Sequence, residues 1–130
     1  MLRISLRDGE ALIINGALLR ASGRTDLIVE NQAALLRGRE IMTPEEADTP
    51  AKQLYFACMM AYIGEDSEKH RDSIIDALRL LMPTLDDIAA KAACVAFANH
   101  VAVGDYYKGL AQCRALIAHE QAANSNTVAA

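Results

Sequence analysis

Asn15-Gly16 sits between two apolar runs, ALII before it and ALLR after it. An Asn-Gly pair in that setting is a strong short-range signal for a β-hairpin. Both residues of a type I′ turn need φ > 0, which Asn and Gly tolerate best. A two-residue loop also sets the register. Ile14 opposes Ala17, Ile13 opposes Leu18 and Leu12 opposes Leu19. Opposed residues share a face, so Leu12, Ile14, Ala17 and Leu19 line one side and Ile13 and Leu18 the other. Both sides are apolar, whereas a sheet with one solvated face alternates. A second sheet, helices or a second copy of the chain must cover the other face. Ile13 and Leu18 are therefore expected to be buried, with the hairpin as scaffold.

Other strands flank this hairpin. LRISLR alternates, with Leu2, Ile4 and Leu6 on one face and Arg3, Ser5 and Arg7 on the other, and Asp8-Gly9 turns the chain. TDLIVE alternates again, and ALLRGREIM reads as a last strand with Arg37 and Arg39 on the side of Leu35 and Ile41. TPEEADTP then marks a boundary, since Thr43 and Thr49 are good N-caps, each followed by a proline.

Four helical segments follow. AKQLYFACMMAYIG has Leu54, Cys58, Met59 and Tyr62 on one stripe. The next segment places Ile74, Ile75, Leu78, Leu81 and Met82 on one face and stops at Pro83. TLDD, from Thr84 to Asp87, has the form of a capping box. An alanine-rich helix runs to Gly104-Asp105, and YYKGLAQCRALIAHE makes the last. The two helices around that turn resemble a single tetratricopeptide hairpin, but one copy without the 34-residue period reads as a generic αα-hairpin.

The predicted class is α+β. A small N-terminal antiparallel sheet of four or five short strands occupies residues 1–42, a bundle of about four helices 43–122, and a disordered tail 123–130.

Chemistry is sparse. Cys58, Cys94 and Cys113 form no CxxC pair and fall in apolar stripes, as reduced packing thiols do. Cys94/His100 and Cys113/His119 are each six apart, a spacing that does not share a helix face, so no metal site is expected. No GxSxG and no phosphate-binding loop occurs. No catalytic residue and no cofactor are assigned. The opening MLRISLRDGE has no secretory apolar core, and the apolar run that contains FACMMAYI, residues 54–63, is far short of a membrane span. The expectation is a soluble, cytoplasmic protein without a membrane partner.

Charge is divided unevenly along the chain. Residues 1–42 carry six bases, all Arg, against five acids, while residues 43–130 carry seven bases against twelve acids and all six aromatics. Arg3, Arg7, Arg20, Arg24, Arg37 and Arg39 admit two assignments. They pair with Asp8, Glu10, Asp26, Glu30 and Glu40, or they present planar forks to phosphate. The second makes them candidate RNA-binding residues. Tyr106 and Tyr107 are candidate protein-contact residues at the αα-hairpin.

LRISLRDGE (Leu2–Glu10), the Asn15-Gly16-Ala17 turn and PEEADTPAKQLYF (Pro44–Phe56), in that order, resemble the FlbT family of flagellum biosynthesis regulators from alphaproteobacteria, over residues 2 to about 62. The resemblance implies a post-transcriptional repressor of flagellin synthesis. Such a protein associates with the 5′ untranslated region of flagellin mRNA and favours its decay, coupling flagellin output to flagellum assembly. The implied partners are the flagellin mRNA leader and, in a second reading, flagellin or another flagellar regulator, bound by a non-enzymatic adaptor or chaperone. The family brings no catalytic residue and no residue-level RNA site. A homodimer would follow from the two-sided hairpin, since a self-complementary patch generates one.

Overall fold

The computed structural model describes residues 1–64 and 67–129, with side chains over 1–64 and 68–123. Five strands come first: β1 (Leu2–Leu6), β2 (Ala11–Ile14), β3 (Ala17–Arg20), β4 (Thr25–Val29) and β5 (Leu35–Arg37). Four helices follow: α1 (Pro50–Ile63), α2 (Ser67–Leu81), α3 (Ile88–Ala102) and α4 (Tyr106–Ala129). The tail expected over 123–130 falls largely outside the described side chains.

The hairpin forms in the expected register, Ile14 opposite Ala17, Ile13 opposite Leu18 and Leu12 opposite Leu19. Asn15 and Gly16 take φ of 48° and 85°. A Cβ on Gly16 would lie 2.8 Å from the Ile63 carbonyl oxygen, because the hairpin tip abuts the end of α1.

The strands do not form one sheet. β1 pairs with β4, while β3, β2 and β5 make a second sheet in that order. Asp8-Gly9 carries the chain out of the plane of β1, closed by the Arg7 carbonyl accepting from Glu10 N–H at 3.0 Å. The face of β1–β4 bearing Ile4, Leu6, Leu27 and Val29 then packs with Leu12, Ile14 and Leu35 of the second sheet. The other face of β2 turns Ile13 into the main core beside Leu36 and the helices. β2 is thus a wall shared by two cores, which explains why both its faces are apolar.

Leu18 corrects part of the expectation. All four residues of β3 are exposed, and Leu18 is 65% accessible, because β3 is an edge strand beyond the reach of the helices. β5 is also shorter than expected. Gly38 takes a φ of 54° and starts a 3₁₀ turn over Gly38–Glu40, so Arg37 and Arg39 do not share a strand face.

α1 is buried on most of its circumference through Ala51, Leu54, Tyr55, Ala57, Cys58, Met59 and Ala61, not on a single stripe. The reason is its position: α2 packs on one flank and α4 on another. Thr49 caps it by accepting from Lys52 N–H. The expected box at Thr84 does not form. Asp87 itself caps α3 through Ala90 N–H at 3.1 Å, and the Thr84 hydroxyl donates to the Leu81 carbonyl. On α2, Ile74 and Leu81 are buried, but Ile75 stays exposed, as does Met82 in the 3₁₀ turn that follows.

Tyrosines join strands to helices. Tyr55 donates to the Glu40 carbonyl at 2.7 Å, Tyr62 accepts from Leu35 N–H at 3.0 Å, and Tyr107 donates to Glu40 Oε2 at 2.6 Å. Arg114 lies 3.8 Å from the same carboxylate. Tyr107 and Arg114 are both solvent-accessible, at 44% and 46%, so water replaces the lost acceptor. Glu40→Ala is expected to lower unfolding stability by about 1 kcal/mol. Exposed Glu45→Ala should leave it within about 0.5 kcal/mol. Urea denaturation of the two variants checks both values.

Candidate nucleic-acid interface

Where β1 ends and β5 begins to turn, Ser5, Leu6, Arg7, Asp8, Glu10, Arg24 and Arg37 line an open groove of about 580 Å³. Local chemistry explains each placement. Arg7 follows β1 into the Asp8-Gly9 turn, and its N–H donates to Glu10 Oε1 at 3.1 Å. Arg24 enters from the turn before β4, where Asp8 accepts from Gly23 N–H at 2.7 Å and ties the two turns together. Arg37, on the inter-sheet face of β5, donates to the Ser5 carbonyl at 2.7 Å and to Glu10 Oε2 at 3.2 Å.

Glu10 anchors one wall. Its carboxyl is held below the ordinary 4.5, first by the Arg7 backbone N–H and further by the Arg37 guanidinium, with desolvation opposing. A depressed folded-state pKa contributes stability that is present above the unfolded value and is lost as pH falls through the folded one. The melting-temperature gap between wild type and Glu10→Gln is therefore expected to be open at neutral pH and to close as the pH drops below about 4.5. Thermal scans across pH 3–7, a range chosen to bracket ordinary carboxyl values of roughly 4, measure it.

The six candidate arginines separate into groups. Arg7, Arg24 and Arg37 converge on the groove. Arg3 lies on the Ser5 side of β1, opposite Ile28. Arg20 is held by the Gly9 carbonyl at 2.7 Å, and Arg39 is exposed on the 3₁₀ turn. Of the expected acidic partners, only Glu10 forms an ion pair with one of these arginines, Arg37. Asp26 accepts instead from the Ser5 hydroxyl, and Glu40 is engaged by Tyr107 and Arg114. Among the described residues Arg3, Arg7, Arg24 and Arg39 make no ion pair. Asp8, Asp26 and Glu40 are engaged by an amide, a hydroxyl, and a phenol with a helix arginine, while the Arg7 guanidinium acts on the Glu10 carboxylate only through its charge at longer range.

The two tyrosine candidates differ, Tyr106 half-buried and Tyr107 44% accessible. Tyr106 packs on the main core. The Tyr107 ring sits 5.5 Å from that of Tyr62, and its hydroxyl is bonded to Glu40. Sequence reading missed Ser5, Asp8 and Glu10 as groove residues. The signal was the Asp8-Gly9-Glu10 turn itself, whose short polar side chains bind the neighbouring backbone.

The three thiols are buried, and burial pushes Cys58 up to about 12 and raises Cys94 and Cys113 as well. Such thiols are not thiolate nucleophiles at neutral pH. Among the described residues no group of three or more His, Cys, Asp or Glu could hold a metal ion, and no helix is long and apolar enough to cross a membrane.

Two stacked sheets leading into four helices, with an arginine-lined groove on the strands, define a small α+β protein organised around a mixed-charge surface groove. The family model described as "Flagellar protein FlbT" matches residues 2–123. The chain belongs to the FlbT family. It is 35% identical over 121 residues to the flagellum biosynthesis repressor protein FlbT of Caulobacter vibrioides (strain ATCC 19089 / CIP 103742 / CB 15), covering 92% of this chain and 86% of that one. A probable flagellum biosynthesis repressor protein FlbT of Rhodopseudomonas palustris (strain TIE-1) is 29% identical over 121 residues, 92% of this chain and 94% of its own. The corresponding probable repressor of Brucella ovis is 45% identical over 62 residues, 48% of this chain and 41% of its own. No solved structure matches the chain.

Proposed function

We propose that this protein represses flagellum biosynthesis after transcription, by binding the 5′ untranslated region of flagellin mRNA through its strand-borne arginines and promoting decay of the message. The relatives' names support the repressor role. The observation that carries the RNA role is the convergence of Arg7, Arg24 and Arg37 on one groove, with Arg7 and Arg24 making no ion pair among the described residues. Guanidinium forks match phosphate oxygens bidentately. The groove has no aromatic side chain, so recognition rests on phosphate and leader shape, with no base stacking there. Arg7→Ala/Arg24→Ala should lengthen the flagellin message half-life in cells and raise flagellin. An unchanged half-life contradicts the proposal.

A second reading is a non-enzymatic adaptor or chaperone that acts on the message indirectly, through flagellin or another flagellar regulator. The excess of acids over residues 43–130 favours it, since bulk charge there opposes RNA. A flagellin complex of fixed stoichiometry that survives RNase, from a chain that binds no leader RNA, would establish this reading over the first.

A further inference from the structure

α2 packs on α1, α1 on α4 and α4 on α3, while α2 and α3 meet only sparsely. An apolar groove lies between them. One part, about 320 Å³, is lined by Leu78, Met82, Leu85, Cys94, Val95 and Ala98, with Lys91 and Asn99 at its side. The adjoining part, about 330 Å³, runs past Ile74, Ile75, Phe97 and Val101 to Arg71. Leu78 and Ala98 line both, so the two parts are one trough. Along α3 it extends from Lys91 to Ala102, ~16 Å at the usual helical rise and about three turns of a docked helix. Its floor is sealed by buried Ile74, Cys94 and Phe97, while Ile75, Met82 and Val95 stand exposed along its walls. A contiguous apolar trough with a polar edge is a recurring mark of an interaction surface.

Charge selects the occupant. The charged side chains lining the trough are Arg71 toward one end and Lys91 toward the other. α3 carries no acid between Ile88 and Ala102, and Asp72 and Asp76 of α2 are not among the liners. A second copy laid across the trough on a two-fold axis would bring these cations together. We propose that the trough docks an amphipathic helix of a partner protein, apolar at i, i+4 and i+7 and acidic at both ends, in the helix-in-groove mode. The site lies on the helices and is independent of the arginine groove on the strands.

The test uses the full chain and two labelled 16-residue peptides with leucines at those positions, one ending in Glu at both ends and its twin in Lys. Fluorescence anisotropy should show the Glu peptide binding at least about tenfold tighter, because mismatched like charges oppose the twin. Arg71→Glu/Lys91→Glu should invert that preference, an outcome that a misfolded variant could not produce. Val95→Glu should abolish binding of both peptides with an unchanged melting temperature. Equal binding of the two peptides, binding of neither, or a preference untouched by the charge reversal overturns the proposal. A concentration-dependent dimer in sedimentation that Val95→Glu dissolves would assign the trough to a second copy instead.

Discussion

Replacing Phe97 with alanine is expected to cost about 3–5 kcal/mol of unfolding free energy. Phe97 is fully buried in the main core, and its ring lines the floor of the α2–α3 trough. α3 meets the remainder of the fold mainly through α4 and only sparsely through α2 across that trough. A cavity at Phe97 therefore removes contacts that nothing on the open side can collapse to refill, which places the cost toward the upper end of the range. Val95→Ala, two residues earlier but 60% exposed, should change stability by no more than about 0.5 kcal/mol. Urea midpoints at constant m-value measure both. A loss below 1 kcal/mol for Phe97→Ala would show that the helices repack freely around it.

Reversing two charges on the strand groove is the second large effect. Arg7→Glu/Arg24→Glu should weaken leader-RNA binding by about 10²-fold at moderate salt, since two phosphate contacts are lost and two repulsions gained. Neither residue forms an ion pair among the described residues, so stability should stay within about 0.5 kcal/mol of wild type. The combination of lost binding and retained stability separates a contact role from a structural one. Arg37 is unsuited to this experiment. It bridges the two sheets through Ser5 and Glu10, and its removal changes the scaffold as well as the groove.

Much of the fold is legible in the chain because local rules decide it. Asn15-Gly16 dictates its own turn and, through loop length, every pairing in the hairpin. Thr49-Pro50 starts α1, and Asp87 starts α3. Strand partnership is less legible, since β1 pairs with β4 across the β2–β3 hairpin and nothing in LRISLR names that partner. Alternation through Arg39 predicts a longer last strand than forms, because Gly38 allows the left-handed backbone that ends it. The exposure of β3 was hidden for a related reason: an edge strand and its covered neighbour carry the same apolar pattern.

The groove was legible only in part. The excess of arginine over lysine in residues 1–42 pointed to the right side chains but not to their grouping. Grouping depends on the stacking of two sheets, which brings Arg37 within reach of Ser5, 32 residues away. Whether an acid neutralises a given arginine was equally hidden. Asp26 and Glu40 are consumed by a serine, a tyrosine and a helix arginine from distant positions. The neighbours of Tyr107 were hidden in the same way: the fold brings Tyr62 and Glu40 against it from distant positions while leaving it 44% accessible.

The most direct measurement is a titration of the full chain against flagellin leader RNA across a salt series. With Arg3, Arg7, Arg24 and Arg39 on phosphates, the log-log slope of the binding constant against salt should be roughly −3, falling in magnitude to about −1.4 for Arg7→Ala/Arg24→Ala. No detectable binding at low salt, or a slope that the double variant leaves unchanged, would contradict direct recognition of the leader by these arginines.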